Sequence, residues 1–238
     1  MVGDGEAETG PLAASWHSNK FINPKRDGAV LPILHLNGYK ISGPTVLGRM
    51  DDASLQKMFE GMGYDVLIIE GDDPYKLHGT FSETLDKCYA SIRAIQKEWD
   101  GEGLPHWPMI ILRTPKGWTG PKIVDGQKVE GTFRSHQVPV SDVANNDEHL
   151  RILEEWLQSY KPEELFSKDG KPSGDVLSVI PQNDKRMGMS PYANGGLLLK
   201  ELKLPDFKKY ALEVKNPGEP IGESTRELGK WLRDIMKE

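Results

Sequence analysis

The sequence has a single cysteine, no excess of basic residues and no long apolar run. Cys88 is the only cysteine, which excludes a disulfide framework and a cysteine-based zinc site. The 238 residues carry 30 basic and 36 acidic side chains, a formal charge of −6. This balance argues against a general binder of nucleic acid or membrane surfaces, since both need a basic face. No apolar run approaches the roughly 20 residues that cross a bilayer, and the N-terminus lacks the features of a signal peptide. A soluble, cytoplasmic protein is expected.

Glycine and proline are abundant, at 25 and 17 residues, which predicts many shaped loops. Among them lie three short and mostly unbroken apolar runs, at residues 30–36, 66–69 and 109–112. Continuous rather than alternating hydrophobicity is typical of strands buried on both faces, as in a parallel sheet. Amphipathic helical patterns fall between and after the runs, at residues 53–61, 80–99 and 147–160. The alternation predicts an α/β fold in which helices cover both faces of a parallel sheet.

The character of the sequence changes beyond about residue 160. Residues 161–174 are rich in lysine, proline, glycine and aspartate. Regular structure is expected near residues 211–213 and in the amphipathic stripe of residues 228–236. We therefore predict a first domain over residues 1–160. Over residues 161–238 we predict an extended connector that lies against a neighbouring domain and ends in a helix.

The chain is also expected to be a fragment. Only Met1 and Val2 precede the loop Gly3-Asp4-Gly5, and they are too few for the strand that a ligand-binding loop of an open α/β sheet follows. At the other end the helical pattern is still running when the sequence stops. We therefore expect the sheet to have lost a strand at this position.

The tripeptides Gly-Asp-Gly and Asn-Gly-Tyr form the first candidate site. Thirty-one residues separate Gly5 from Asn37, and Asn37 ends the first strong apolar run. Two strand-end loops of one parallel sheet present a carboxylate, a side-chain amide and a backbone carbonyl at the same edge. Such hard oxygen ligands are those that Mg²⁺ selects, together with phosphate oxygens and water. Because both tripeptides are common turn formers, two unrelated turns are the alternative.

Lys116 and His136 form the second candidate site. Lys116 follows the third apolar run and is expected at the same edge, and His136 lies on the long loop that follows. A lysine and a histidine at this edge suit phosphate binding and proton transfer. An exposed lysine and an ordinary loop histidine are the alternative. Of the other histidines, His35 is expected in the packed core, and His78 and His149 at the surface.

Longer stretches of the sequence resemble the phosphoketolase family. The matching blocks run in order along the chain: GDGEAETGP at residues 3–11, SWHSNKF at 15–21, HLNGYKI at 35–41, RTPKGWTGP at 113–121, FRSHQVP at 133–139, IPQN at 180–183 and ANGG at 193–196. The Gly-Asp-Gly and Asn signature is also similar to that of the transketolase-like enzymes, which bind thiamine diphosphate and magnesium. The resemblance runs through essentially the whole chain but covers only part of the family's longer sequence.

This resemblance implies a partial thiamine-diphosphate-binding fold and assigns roles to eight residues. The implied roles are Mg²⁺ ligands (Asp4, the side chain of Asn37 and the backbone carbonyl of Tyr39), contacts near the cofactor diphosphate (Gly3, Gly5 and Glu6), and the active-site lysine and histidine (Lys116 and His136). The last two are implied to lie near the diphosphate and the reacting carbon.

The reaction that the resemblance implies is phosphorolytic cleavage of a ketose phosphate. Xylulose 5-phosphate or fructose 6-phosphate reacts with inorganic phosphate to give acetyl phosphate and a shortened aldose phosphate. In this family a second domain, usually from another subunit, binds the cofactor's pyrimidine and supplies its activating glutamate, which implies at least a dimer. Because that domain and the N-terminal half are missing, we expect the chain alone to be inactive. A transketolase-like enzyme and a non-catalytic truncated remnant are the alternatives.

Overall fold

A computed structural model of the chain describes residues 1–136, 138–189, 202–219 and 222–237. The chain divides into two compact units, Met1–Pro162 and Glu163–Glu238. Of the sequence blocks above, residues 193–196 and Gln137 lie outside the described residues.

The first unit alternates strands and helices. Its strands are β1 (Val2–Gly3), β2 (Ile33–Leu36), β3 (Tyr64–Glu70), β4 (Trp107–Arg113), β5 (Ile123–Val124) and β6 (Gln127–Lys128). Its helices are α1 (Asp4–Ala7), α2 (Gly10–Ser15), α3 (Asp52–Gly61), α4 (Pro74–Glu98) and α5 (Asp147–Gln158), with short 3-10 helices at Trp16–Phe21, Leu47–Arg49 and Phe133–Ser135. Each of the three predicted apolar runs contains or overlaps a strand, and each of the three helical patterns falls on a helix.

Four strands form one parallel sheet in the order β1-β2-β4-β3. The central strand β4 pairs with both neighbours, so that Ile110 lies opposite Ile33 of β2 and Leu67 of β3. The strand expected to be missing before Asp4 is present as the two-residue β1, in which Val2 pairs with Leu34. Because all four strands are parallel, the loops that follow them meet at one edge of the sheet.

Helices cover both faces of this sheet, so the predicted α/β class and parallel layering are confirmed. On one face Leu34 and Ile111 pack with Phe59 of α3 in a buried cluster. On the other face Ile110 packs in a second cluster with Cys88 of α4. The strands appear in the sequence as continuous apolar runs because successive side chains point to opposite faces of the sheet, and both faces are buried.

Helix α4 begins at Pro74, earlier than the apolar stripe predicted. The side chain of Asp73 accepts hydrogen bonds from the backbone N–H groups of Tyr75 and Lys76, at 3.0 and 3.1 Å. An aspartate cap followed by proline in the first turn stabilises a helix start. The capping sequence, rather than the hydrophobic period, therefore sets this boundary.

The second unit contains mostly short elements. They are α6 (Pro162–Leu165), which starts at the unit boundary, α7 (Gly174–Ser178), α8 (Ser224–Ile235), and 3-10 helices at Asn183–Lys185, Met187–Met189 and Phe207–Tyr210. The predicted terminal helix is confirmed as α8. Residues 211–213 form no regular element, because the 3-10 helix at Phe207–Tyr210 ends one residue before them. Within this unit the Trp231 indole donates to the carbonyl of Pro205 at 3.1 Å. None of the described residues beyond 162 is fully buried.

We expect Phe59→Ala to lower the free energy of unfolding by about 3–5 kcal/mol, the range for emptying a buried aromatic position. Phe59 has 0% exposure and makes an edge-to-face contact with Trp16 at a centroid distance of 5.0 Å. Phe21→Ala is the matched control, because Phe21 is 87% exposed and its loss should cost less than about 0.5 kcal/mol. Urea denaturation followed by circular dichroism measures both. Equal effects of the two substitutions would contradict the assigned core.

Candidate functional site

Asp4 lies in the buried centre of the candidate site. The residue follows β1 directly and is 1% exposed. Its Oδ2 accepts hydrogen bonds from the backbone N–H of Gly38 at 2.7 Å and from the hydroxyl of Thr45 at 2.8 Å. Its Oδ1 accepts from the N–H of Gly5 at 3.1 Å. The buried carboxylate is thus held by three donors, as an ionised group removed from water requires.

The loop after β2 is folded tightly around this carboxylate. Gly38 has a positive φ of 86°, a conformation that glycine adopts at little cost. A β-carbon on Gly48 would lie 2.6 Å from the Cα of Gly38 and 2.7 Å from Oγ1 of Thr45. Glycine at position 48 therefore lets this part of the loop close against Gly38 and keeps the Thr45 hydroxyl beside Asp4.

Three of the predicted site residues come together at the edge of the sheet. Asn37 Oδ1 accepts from the N–H of Tyr39 at 3.1 Å, which orients the amide at the end of β2. The carbonyl of Tyr39 accepts from Nζ of Lys116 at 2.9 Å. Lys116 therefore reaches from the end of β4 to the loop after β2, as its position after the third apolar run predicted.

Gly3 and Glu6 lie on the other side of Asp4. The Glu6 carboxylate folds back toward Gly3, and its Oε2 lies 2.4 Å from where a β-carbon on Gly3 would stand. Sequence reasoning missed the neighbouring ion pair, in which Nζ of Lys40 lies 2.5 Å from Glu8. Burial alone raises the pKa of the Glu8 carboxyl, but Lys40 and a backbone N–H outweigh it, and the net pKa is lowered.

The turn that precedes His136 packs against the backbone next to Lys116. The N–H of Gly131 donates to the carbonyl of Lys116 at 2.7 Å. A β-carbon on Gly117 would overlap Ser135, so the turn that precedes His136 packs against the residue after Lys116. Among the described residues, no hydrogen bond joins the His136 side chain to the Asp4 or Lys116 side chain. The structure brings the two loop segments together and leaves His136 partly exposed.

His149, expected at the surface, is buried at 4% exposure. Its Nδ1 accepts from the backbone N–H of Asp142 at 3.2 Å, which leaves Nε2 to donate to the carboxylate of Asp125 at 3.1 Å. The expectation was wrong because the first turn of α5 faces the β5–β6 hairpin rather than solvent. One imidazole therefore ties together the chain segments before and after His136.

His35 is half-buried at the end of β2 rather than packed in the core. Its Nε2 lies 2.7 Å from Oγ1 of Thr114, so it joins the ends of β2 and β4. Burial lowers the pKa of the imidazole, the Asp4 carboxylate raises it and the Lys116 ammonium lowers it, with a net decrease. The core expectation failed because the carboxyl edge of the sheet begins at this residue.

A cleft of about 460 Å³ opens at the same edge of the sheet. Its lining includes Asn37, Gly38, Gly71, Arg113 and Thr114. The Arg113 guanidinium lies 2.6 Å from the carboxylate of Asp52 and 3.6 Å from that of Glu70. Gly38 lines this cleft and donates its N–H to Asp4, so the cleft lies next to the buried carboxylate.

Two structural features are absent from the described residues, a metal-binding cluster of histidine, cysteine and acidic side chains and a membrane-spanning helix. These residues contain no group of three or more histidine, cysteine, aspartate and glutamate side chains that could hold a metal ion. They also include no helix that is both long and apolar enough to span a membrane. A metal at this edge would therefore need the mixed set of carboxylate, amide and carbonyl oxygens.

Comparison with known proteins decides the family. The sequence matches the XFP N-terminal domain over residues 1–198. The chain belongs to that family. It is 58% identical over 241 residues to a probable phosphoketolase of Bradyrhizobium diazoefficiens, 55% over 248 residues to one of Nitrosospira multiformis and 57% over 240 residues to one of Gloeobacter violaceus. The resemblance that the sequence blocks indicated is confirmed.

The three alignments cover the whole of this chain. They cover only 30%, 31% and 30% of the relatives' own sequences. The chain thus spans about a third of the length of the curated relatives it matches. The expectation that it corresponds to a fragment of a longer phosphoketolase agrees with this coverage.

We expect the free energy of unfolding to fall as the pH drops below about 6.5, the usual pKa of histidine. His35 causes part of this decrease. Its folded pKa is lowered, so the unfolded chain takes up the proton first. The stabilisation is present above about pH 6.5 and is lost as the pH falls toward the folded pKa. His35→Gln should weaken this dependence between about pH 7.5 and pH 5.5, whereas His78→Gln, on the exposed side of α4, should leave it unchanged. Urea denaturation at both pH values measures this, and an unaltered dependence in His35→Gln would contradict the assignment.

Proposed function

We propose that this chain is the magnesium- and diphosphate-binding part of a thiamine-diphosphate-dependent phosphoketolase. The observation that carries the proposal is the buried Asp4 carboxylate, bonded to the loop that holds Asn37 and Tyr39 at the carboxyl edge of a parallel sheet. Ligands of open α/β sheets bind at this edge. The family match over residues 1–198 supports the same assignment.

The donor set fits a small hard cation. Oδ1 of Asp4, Oδ1 of Asn37 and the carbonyl oxygen of Tyr39 each accept one hydrogen bond. Each oxygen has two lone pairs and so retains one for a metal. Mg²⁺ prefers such oxygen ligands, with water and phosphate oxygens completing its octahedron. We assign these three groups to Mg²⁺.

The residues around Asp4 suit a diphosphate bound through that cation. Glycines at positions 3 and 5 add no side chains of their own, which permits close approach of phosphate oxygens to the backbone. Glu6, immediately after Gly5, is assigned to the same stretch. Lys116 adds a positive charge at this edge, where its ammonium already contacts the carbonyl of Tyr39.

The protein's part in the reaction is orientation, charge and proton handling. Thiamine diphosphate supplies the electron sink for cleavage of the carbon–carbon bond. In our proposal Lys116 would hold the negative charge of inorganic phosphate at this edge. His136, on the loop that returns over the edge, hydrogen-bonds substrate hydroxyls and moves a proton. The His149–Asp125 pair holds the segments on either side of His136.

The substrates we propose for the complete enzyme are xylulose 5-phosphate or fructose 6-phosphate together with inorganic phosphate. The products are acetyl phosphate, an aldose phosphate and water, which is lyase chemistry of carbohydrate metabolism. The rest of the relatives' length leaves room for the pyrimidine-binding domain. We propose that the complete enzyme is a dimer whose subunits share the cofactor. The second unit, beyond residue 162, is proposed to connect to that domain.

We expect the chain to bind Mg²⁺ with thiamine diphosphate in isothermal titration calorimetry, and Asp4→Asn to weaken binding at least about tenfold. A ligating carboxylate contributes both charge and an oxygen that an amide replaces poorly. Asp86→Asn is the matched control, because Asp86 is exposed on α4 and should bind as the wild type does. A wild-type chain without affinity would favour the non-catalytic alternative.

We expect the purified chain to form no acetyl phosphate, because in our proposal a second domain, for which the remaining length of the relatives leaves room, completes the cofactor site. A chimera in which this chain replaces the matching 241 residues of the Bradyrhizobium relative should form it only when inorganic phosphate is present. Formation of acetyl phosphate by the chain alone would contradict the proposal that the chain carries only part of the cofactor site. A chimera that needs an acceptor sugar instead of phosphate would favour the transketolase-like alternative.

A further inference from the structure

Thr45 is a fully buried hydroxyl residue that none of the sequence blocks singled out. It has 0% exposure and lies 41 residues from Asp4 in sequence, yet its Oγ1 is 2.8 Å from Oδ2 of Asp4. The same Oγ1 accepts from the N–H of Gly48 at 3.0 Å. Because an ionised carboxylate only accepts, the hydroxyl hydrogen must point at Asp4. The direction of the bond is therefore fixed.

The two oxygens of Asp4 are consequently unequal. Oδ2 receives two donors, the Thr45 hydroxyl and the Gly38 N–H, at 2.8 and 2.7 Å. Both of its lone pairs are used. Oδ1 receives only the N–H of Gly5, at the longer distance of 3.1 Å. Oδ1 alone retains a lone pair.

We propose that Thr45 is a positioning residue that restricts Asp4 to binding the cation through one oxygen, Oδ1. This inference rests on the proposed function, since it concerns the same magnesium site. A carboxylate that ligates through one oxygen suits the near-ideal octahedron of Mg²⁺, whereas Ca²⁺ accepts bidentate carboxylates and higher coordination numbers. Thr45 thereby also determines which divalent cation the site prefers.

The surrounding loop supports this role. The backbone N–H of Thr45 donates to the carbonyl of Gly38 at 3.0 Å, so both donors to Oδ2 belong to one closed loop. Gly48 packs against Thr45 Oγ1 and the Gly38 backbone at distances that no β-carbon tolerates. The N–H of Gly48, which donates to Oγ1 of Thr45 at 3.0 Å, helps to hold the hydroxyl in this position. Ordering of this kind by groups that do not touch the metal typically changes metal affinity 10–100-fold.

The test compares Thr45→Val, which keeps the shape and removes the hydroxyl, with Thr45→Ser, which keeps the hydroxyl. Affinities of the chain for Mg²⁺ and for Ca²⁺, each with thiamine diphosphate, are measured by calorimetry. We expect Thr45→Val to weaken Mg²⁺ binding about 10–100-fold and Ca²⁺ binding less, so that the preference for Mg²⁺ falls. Thr45→Ser should remain within about threefold of the wild type for both ions, since its hydroxyl makes the same two bonds.

Circular dichroism establishes that each variant is folded, and Thr45→Cys, with a weaker donor of similar size, replaces Thr45→Val if the latter unfolds. Its expected effect has the same direction and is smaller. Unchanged Mg²⁺ affinity and preference in the folded variant overturns the inference but leaves the proposed function standing. A folded Thr45→Ser as weak as Thr45→Val also overturns it, because packing would then be the cause. A wild-type chain that binds neither ion with the cofactor overturns the proposed function and this inference together.

Discussion

The arrangement of the candidate site depends on a buried negative charge. Asp4 is 1% exposed and receives its compensating hydrogen bonds from Gly5 of α1 and from the loop after β2. A buried carboxylate without donors would be strongly unfavourable, so the loop after β2 must close against the start of α1 for the sheet edge to form. The loop after β2 also carries Asn37 and Tyr39, and Lys116, beyond the end of β4, donates to the Tyr39 carbonyl.

The parallel sheet could be predicted because its strands are buried on both faces. Residues 109–112 read as one apolar run since alternate side chains enter two separate cores, each covered by a helix. The same argument predicted that Asp4, Asn37 and Lys116 would meet, because each follows a strand of one sheet. The β1 strand was not expected, because two residues are too short to give a hydrophobic pattern.

The contacts that complete the site could not be predicted, since they join residues far apart in sequence. Thr45 stands in a Gly-Pro-Thr turn and has no local sign that its hydroxyl reaches Asp4. Likewise, Lys40 is an ordinary loop lysine until the fold places it against Glu8. His149 lies in the polar first turn of a helix, which indicated an exposed side chain. Its burial is explained only by the β5–β6 hairpin that packs against this turn. Tertiary packing decided each of these positions.

The position of His136 follows from a different kind of constraint than that of Asp4. Backbone contacts at Gly117 and Gly131 and the imidazole of His149 fix the chain on both sides of it, while its own side chain stays partly exposed. A group held in this way is oriented by its loop and remains accessible to a substrate. The Asp4 carboxylate is thus buried, whereas the His136 side chain is accessible.

A crystal structure of the chain with Mn²⁺ and thiamine diphosphate tests the central claim most directly, because anomalous scattering locates the cation. We expect one metal peak within about 2.0–2.2 Å of three oxygens. These oxygens are Oδ1 of Asp4, Oδ1 of Asn37 and the carbonyl of Tyr39, with Oδ2 of Asp4 still bonded to Thr45. A peak away from Asp4, or a diphosphate bound elsewhere in the chain, would contradict it.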